Sequence, residues 1–142
     1  MSRPRHEPIG LQVNRVGRTL SRAFDDALGE AGGTLPTWLI LVSLKSRTWG
    51  TQRELAKSLG LEGATLTHHL AKLEKAGLVR RTREPGNRRV QRVELTEEGD
   101  AAFHRMREAA MAFDARLREG LEEEDLDRAR EVLARLQANV SG

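Results

Sequence analysis

The 142-residue chain is 38% hydrophobic and 32% charged, carries a net charge of +3 and contains no cysteine. That length and balance suffice for one compact domain with a core, outside the regime of disordered chains. Without cysteine, disulfides, thiolate metal sites and thiol-based redox sensing are excluded. No apolar run approaches the roughly 20 residues of a membrane span. The basic start Met1-Ser2-Arg3-Pro4-Arg5-His6 has no apolar stretch behind it, unlike a secretory signal. The expected location is therefore cytoplasmic.

The charge is unevenly placed. Residues 1–35 carry +1, residues 36–96 carry +7 and residues 97–142 carry −5. A basic middle is drawn to an acidic polymer and an acidic last third is repelled by one, which suits a nucleic-acid face beside a separate assembly face.

In chain order, Val13, Val16, Leu20, Phe24 and Leu28 recur at three- and four-residue steps and predict a helix over Leu11 to Ala31, stopped by Gly32-Gly33. A second helix starts near Pro36, whose fixed φ suits a first helical position, and runs through Trp38, Leu41, Val42 and Leu44 to a break at Thr48-Trp49-Gly50. Thr51-Gln52-Arg53-Glu54 reads as a capping box, followed by a short helix through Leu55, Ala56 and Leu59 that Gly60 closes. Glu62 can cap the next helix, with Leu66, Leu70 and Leu73 on one face and Gly77 at its end. Two short helices joined by a glycine-containing turn make a helix-turn-helix.

Val79 to Arg83 and Val90 to Leu95 then read as short strands around the turn Glu84-Pro85-Gly86-Asn87, so a β-hairpin wing follows the second helix of the motif. Thr96-Glu97-Glu98 opens a long helix striped by Phe103, Met106, Ala110, Phe113 and Leu117. After Gly120, Glu122-Glu123-Glu124-Asp125 opens a final helix carrying Leu126, Ala129, Val132, Leu133, Leu136 and Val140. The expected fold is mostly α with a small β-hairpin wing (α+β). Residues 1–35 would give an N-terminal dimerisation helix, residues 36–96 the winged helix-turn-helix, and residues 97–142 C-terminal dimerisation helices, in one continuous domain. The outer stripes are long for so small a body, and a partner subunit buries them best.

The start of the second helix of such a motif enters a major groove. Here it offers Gly63, Ala64, Thr65, Thr67, His68 and His69. Small residues allow close approach, and the threonines can meet base edges or phosphates, ordinary helix-surface polarity being the alternative. The histidines add donors of suitable reach, with phosphate or solvent as their other destination. Adjacent helical positions diverge by about 100°, so His68 and His69 do not converge on one ion, and no metal or cofactor is expected. Thr51, Gln52, Arg53 and Lys72 are the candidate contacts to the DNA backbone. Between Arg80 and Arg92 lie six arginines and one acid, Glu84. A hairpin tip with Arg83, Asn87, Arg88 and Arg89 fits a minor groove, and the remaining arginines fit phosphate.

Gln52-Arg53-Glu54-Leu55-Ala56, Thr65-Leu66-Thr67, Leu73-Glu74-Lys75-Ala76-Gly77-Leu78-Val79, Arg88-Arg89 and Val93-Glu94-Leu95-Thr96-Glu97-Glu98-Gly99 follow one another in an order and spacing that resembles the MarR family of multiple-antibiotic-resistance-type repressors. The resemblance covers roughly the central half of the chain, and the flanking helices agree in pattern. It implies a homodimer built from the terminal helices, reading a palindromic operator in double-stranded DNA, with Arg89 in the minor groove and Arg88 beside it. The family often has aspartate just before these arginines. Asn87 stands here instead, which leaves a neutral hydrogen bond as the substitute. Gly63 replaces the usual polar residue near the start of the recognition helix, so base recognition is expected to differ. The resemblance further implies release by a small aromatic effector, with Phe24, Trp38 and Trp49 as candidate lining and Arg15 or Arg18 as carboxylate partners. Tryptophan at helical spacing also serves as ordinary core.

No nucleophile elbow, phosphate-binding glycine loop or metal-ligand cluster points to an enzyme. The alternative to a DNA-binding repressor is a winged-helix protein-interaction module without sequence-specific DNA binding, against which the arginine density of the wing counts.

Overall fold

The computed structural model describes residues 6–46 and 51–142, with the side chains of Arg88 and Arg89 outside the description. The expected break at Thr48-Trp49-Gly50 and residues 1–5 of the basic start thus lie outside the described residues. Along the chain run α1 (Ile9–Glu30), α2 (Leu35–Ser46), α3 (Gln52–Leu59), α4 (Gly63–Lys75), β1 (Val79–Glu84), β2 (Asn87–Leu95), α5 (Glu97–Leu117) and α6 (Glu123–Val140). The mostly α fold with a two-stranded antiparallel wing is the one expected. Two compact units, residues 1–110 and 111–142, divide the chain.

In the first unit, α2 is apolar nearly all round because it serves two cores. Successive residues of a helix point about 100° apart, and Ile40 and Leu41, both fully buried, face different clusters. Ile40 joins Leu55, Ala56, Leu66, Leu70, Leu73, Val79 and Val93 beneath the helix-turn-helix and wing. Leu41 joins Leu28, Ala102 and Met106, with Phe24, Trp38 and Phe103 packed against them. Only the C-terminal end of α1 reaches this second core. Val13, Val16 and Leu20 remain 38–39% exposed.

Local capping departs from expectation in detail. Thr51 accepts a hydrogen bond from the Glu54 amide at 3.1 Å, so the threonine half of the box forms, and the reciprocal bond from the Thr51 amide to the Glu54 carboxylate is absent among the described residues. Glu62 stands at the N-cap of α4 in extended backbone without a side-chain hydrogen bond to the helix. Its carboxylate is carried further from the backbone than the polar groups of the short Asp, Asn, Ser and Thr favoured there. In the second unit Asp125 accepts from the Glu122 amide at 2.8 Å and so fastens the start of α6. No residue of α6 is buried.

The hairpin is longer at its tip than the sequence suggests. Pro85 fixes φ at about −65° and Gly86 takes φ +88°, the values a type II turn needs at its two central positions. Glu84 then pairs with Asn87, while Arg83 pairs with Gln91. Residues 88–90 therefore fall between two paired positions with nothing opposite them on β1, a bulge that carries both tip arginines out of the regular ladder.

Candidate nucleic-acid interface

Helix α4, the expected recognition helix, buries Leu66, Leu70 and Leu73 and turns its other face to solvent. Gly63, Ala64, Thr65, Thr67, His68 and Lys72 are exposed on it, and His69 is half-buried. The two imidazoles lie 5.9 Å apart between ring centres and tilted by 60°. Among the described residues no three His, Asp or Glu side chains are grouped around a possible metal position.

The Thr67 hydroxyl is not idle. It donates to the Gly63 carbonyl at 2.8 Å and accepts from Gln52 Nε2 at 2.6 Å. That bond ties α3 to α4 and leaves the Thr67 methyl, rather than its hydroxyl donor, free to meet a base. Gln52 Oε1 is buried without a partner in this arrangement. On one side of Gln52 a groove of 410 Å³ runs between the two helices past Arg53, Lys57 and Gly63. On its other side a groove of 400 Å³ runs from Thr51 and Arg53 to Val90 and Gln91 of the wing. Thr51 and Gln52 are half-buried in these walls, and Arg53 is exposed at their rim. The candidate backbone contacts at the start of α3 thus share one groove with Val90 and Gln91 of the wing.

The arginines of the wing divide into two classes, which the sequence did not separate. Arg80 and Arg83 are exposed and enter no ion pair among the described residues. Arg92 bonds Glu84 at 2.8 Å across the hairpin, and that carboxylate raises its pKa above the ordinary arginine value. Arg81 bonds Glu74 of α4 at 3.0 Å, a contact that holds the glutamate below its ordinary pKa. Asn87 is exposed at the turn. The side chains of Arg88 and Arg89 lie outside the described residues.

The expected effector residues are only partly brought together. Phe24 and Trp38 pack on the same core cluster. Arg18 and Arg15 precede Phe24 by six and nine residues, about 9 and 14 Å along a helix, and Arg15 is bonded to Glu7 at 2.8 Å. Trp49 lies outside the described residues. The sequence missed Phe103, which stacks on Trp38 at 5.6 Å with the rings 13° from parallel. Lys45 Nζ stands 5.8 Å from the centre of the Phe103 ring and bonds Asp100 at 2.5 Å. That bond keeps the Asp100 carboxyl below its usual range. His104 reaches the other Asp100 oxygen at 3.4 Å. The stripe position of Phe103 was visible in the sequence, but its pairing with Trp38 spans 65 residues and leaves no local signal.

No single helix among the described residues is long and apolar enough to cross a membrane. The sequence profile of the MarR family matches residues 34–90. The solved structure of transcriptional regulator PA3341 is 31% identical, with 94% of this chain and 98% of that one aligned at a TM-score of 0.75. A MarR-family transcriptional regulator from Rhodococcus sp. RHA1 is 28% identical over 93% of this chain and 94% of its own, with a TM-score of 0.78. CouR from Rhodococcus jostii RHA1, bound to p-coumaroyl-CoA, is 28% identical over 93% of each chain with a TM-score of 0.76. The repressor CouR bound to a 23-mer DNA duplex aligns over 92% of each chain at 27% identity and a TM-score of 0.83. With a winged helix-turn-helix at its centre and this likeness over nearly its full length, the chain belongs to the MarR family and is a transcriptional regulator, not an enzyme.

Proposed function

We propose that the protein is a repressor that binds a palindromic operator as a homodimer and leaves it when a small aromatic effector binds. The observation that carries the DNA-binding part is one continuous face. It comprises the exposed start of α4, the grooves beside Gln52 with Arg53 and Lys57 in their walls, and the bulged arginine tip of the wing. Two copies of α4 would enter successive major grooves about 34–36 Å apart. Thr65, the Thr67 methyl and His68 would meet base edges, while Arg53 and Lys72 meet phosphate. Arg83, Arg88 and Arg89 would track the minor groove.

The dimer is supported by the apolar residues that neither unit covers, among them Leu20 on α1 and Leu133 on α6, 38% and 53% exposed. Roles in pairing are accordingly assigned to residues 1–35 and 97–142. The effector is supported by the binding of p-coumaroyl-CoA to CouR and by the stacked Trp38–Phe103 pair with Lys45 beside it. A DNA operator as target is the reason for reading the protein as cytoplasmic.

The test is a selection from a random duplex pool, followed by fluorescence anisotropy at two salt concentrations and sedimentation of the complex. A single enriched palindrome, bound by two protomers with strong salt dependence, is expected. Absence of any enriched sequence, with weak binding at low salt, would transfer the winged unit to a protein partner.

A further inference from the structure

We infer that Arg81 is a positioning residue for DNA recognition: clamped by Glu74, it sets the wing relative to the recognition helix and makes no phosphate contact itself. Arg81 lies on β1 opposite Val93, on the side of the hairpin that carries the buried Val79 and Val93. Its side chain is only 19% exposed, unlike the freely solvated Arg80 and Arg83 on the same strand. Glu74 sits in the last turn of α4 and grips it at two points. Oε1 accepts from Arg81 Nη2 at 3.0 Å, and Oε2 accepts from the Arg81 backbone amide at 3.3 Å. The carboxylate thus serves the open edge of β1 in place of a third strand and neutralises the guanidinium at the same time.

Nothing else polar among the described residues joins the body of α4 to β1 beyond the connecting turn. The other fastenings of the wing run elsewhere. Thr96 donates its hydroxyl to the Gly77 carbonyl at 2.6 Å and its amide to the Leu78 carbonyl at 3.1 Å, which latches the base of the wing to the start of α5. Arg92 and Glu84 close the hairpin on itself. Among the described residues the Glu74–Arg81 clamp is thus the polar side-chain link between α4 and β1, set at the edge of the apolar contact that Leu70 and Leu73 make with Val79 and Val93. Its distance from the base-reading end of α4, eleven residues or about 16 Å of helix, means that a small rotation at the clamp becomes a larger displacement at the tip.

This inference rests on the DNA-binding reading, and its test separates the two. The probe is the duplex selected from the random pool, beside a scrambled duplex of equal length, titrated by anisotropy from low to high salt. Arg81→Gln, Arg81→Lys, Glu74→Gln and the exchange Glu74→Arg with Arg81→Glu are compared with the wild type, each with its thermal midpoint. Both Arg81→Lys and Glu74→Gln are expected to lose about tenfold in affinity for the selected duplex, the effect of uncoupling one bonded pair. The slope against salt should stay unchanged and scrambled binding should stay intact, and the exchange should recover part of the loss. A salt slope reduced by about one in Arg81→Gln, with Glu74→Gln binding as tightly as wild type or tighter, would make Arg81 a phosphate contact and overturn the inference. Equal affinity of all variants for the selected duplex would also overturn it. If Arg81→Gln does not fold, Arg81→Lys and the exchange decide the matter, because both keep a charged side chain at the site. Failure to enrich any sequence with wild-type protein sinks the DNA-binding reading itself.

Discussion

Gly99 occupies a place that no other residue can take without cost. It is buried near the start of α5, and a Cβ built on it runs into the Leu78 carbonyl. The same carbonyl accepts the Thr96 amide, and the Gly99 amide donates to the Thr96 hydroxyl at 3.0 Å. In an open helix, Gly→Ala gains up to about 1 kcal/mol. Here Gly99→Ala must push the base of the wing off α5, and overpacking of this kind typically costs about 1–3 kcal/mol. A fall in thermal and urea midpoints is the expected result, and an unchanged or raised midpoint would show that the backbone yields. At Glu74 the residue-scale prediction concerns pH. Its folded pKa lies below the ordinary carboxylate value because Arg81 bonds the ionised form. The clamp's contribution is therefore complete above the unfolded pKa and is lost as pH falls through the folded one. Urea unfolding of wild type and Glu74→Gln should differ at neutral pH and converge in acid; a constant difference across that range would assign the effect to something other than ionisation.

At the scale of elements, the wing is a hairpin whose arginines do different work. Arg83 is exposed and unpaired among the described residues, whereas Arg92 is bonded to Glu84 on the opposite strand. Each phosphate contact contributes about 0.9 to the slope of log affinity against log salt. Arg83→Ala is expected to lower the slope by about that amount, and Arg92→Ala to leave it nearly intact while loosening the hairpin. Equal slopes for the two variants would erase the distinction between them. This division marks the limit of what the sequence could show. The helices, the helix-turn-helix and the existence of the wing were legible because their signals are local: apolar steps of three and four, Thr51 before Glu54, Pro85-Gly86 between two β-rich runs. The bulge at residues 88–90 was not, since strand register depends on which residues of β1 and β2 finally face one another. The partners of Arg81 and Trp38 were hidden for the same reason. Glu74 and Phe103 are each visible on a helix face, but only the packed fold says whom they meet. Thr67 shows the converse: its place at the start of α4 was plain, while the bond from Gln52 that occupies its hydroxyl came from a second helix.

At the scale of the whole molecule, the exposed apolar surface and the split of charge lead to one prediction about assembly. Val16 and Leu20 form part of the α1 stripe, 39% and 38% exposed, and α6 adds Val132 and Leu133 at 42% and 53%. Isolated exposed apolar residues are common, but stripes on two helices in both compact units are the mark of a surface covered by association. The last third of the chain carries −5 while the middle carries +7, so the α6 stripe lies in the part of the sequence that DNA repels, the α1 stripe in a nearly neutral part, and the winged unit in the part that DNA attracts. Leu20→Glu and Leu133→Glu would place a charge on each stripe in turn. Neither side chain is buried within its own unit, so the isolated subunit should tolerate the change with little loss of helix content. The dimer should not, because a charge enclosed at an apolar contact costs several kcal/mol unless paired. Sedimentation should then show a monomer, the thermal midpoint should cease to depend on protein concentration, and binding to the selected palindrome should fall far more than binding to one half-site. Retention of a tight dimer by both variants would show that the stripes are covered by something other than a second copy. The palindrome would then have to be read by two protomers that meet only on the DNA.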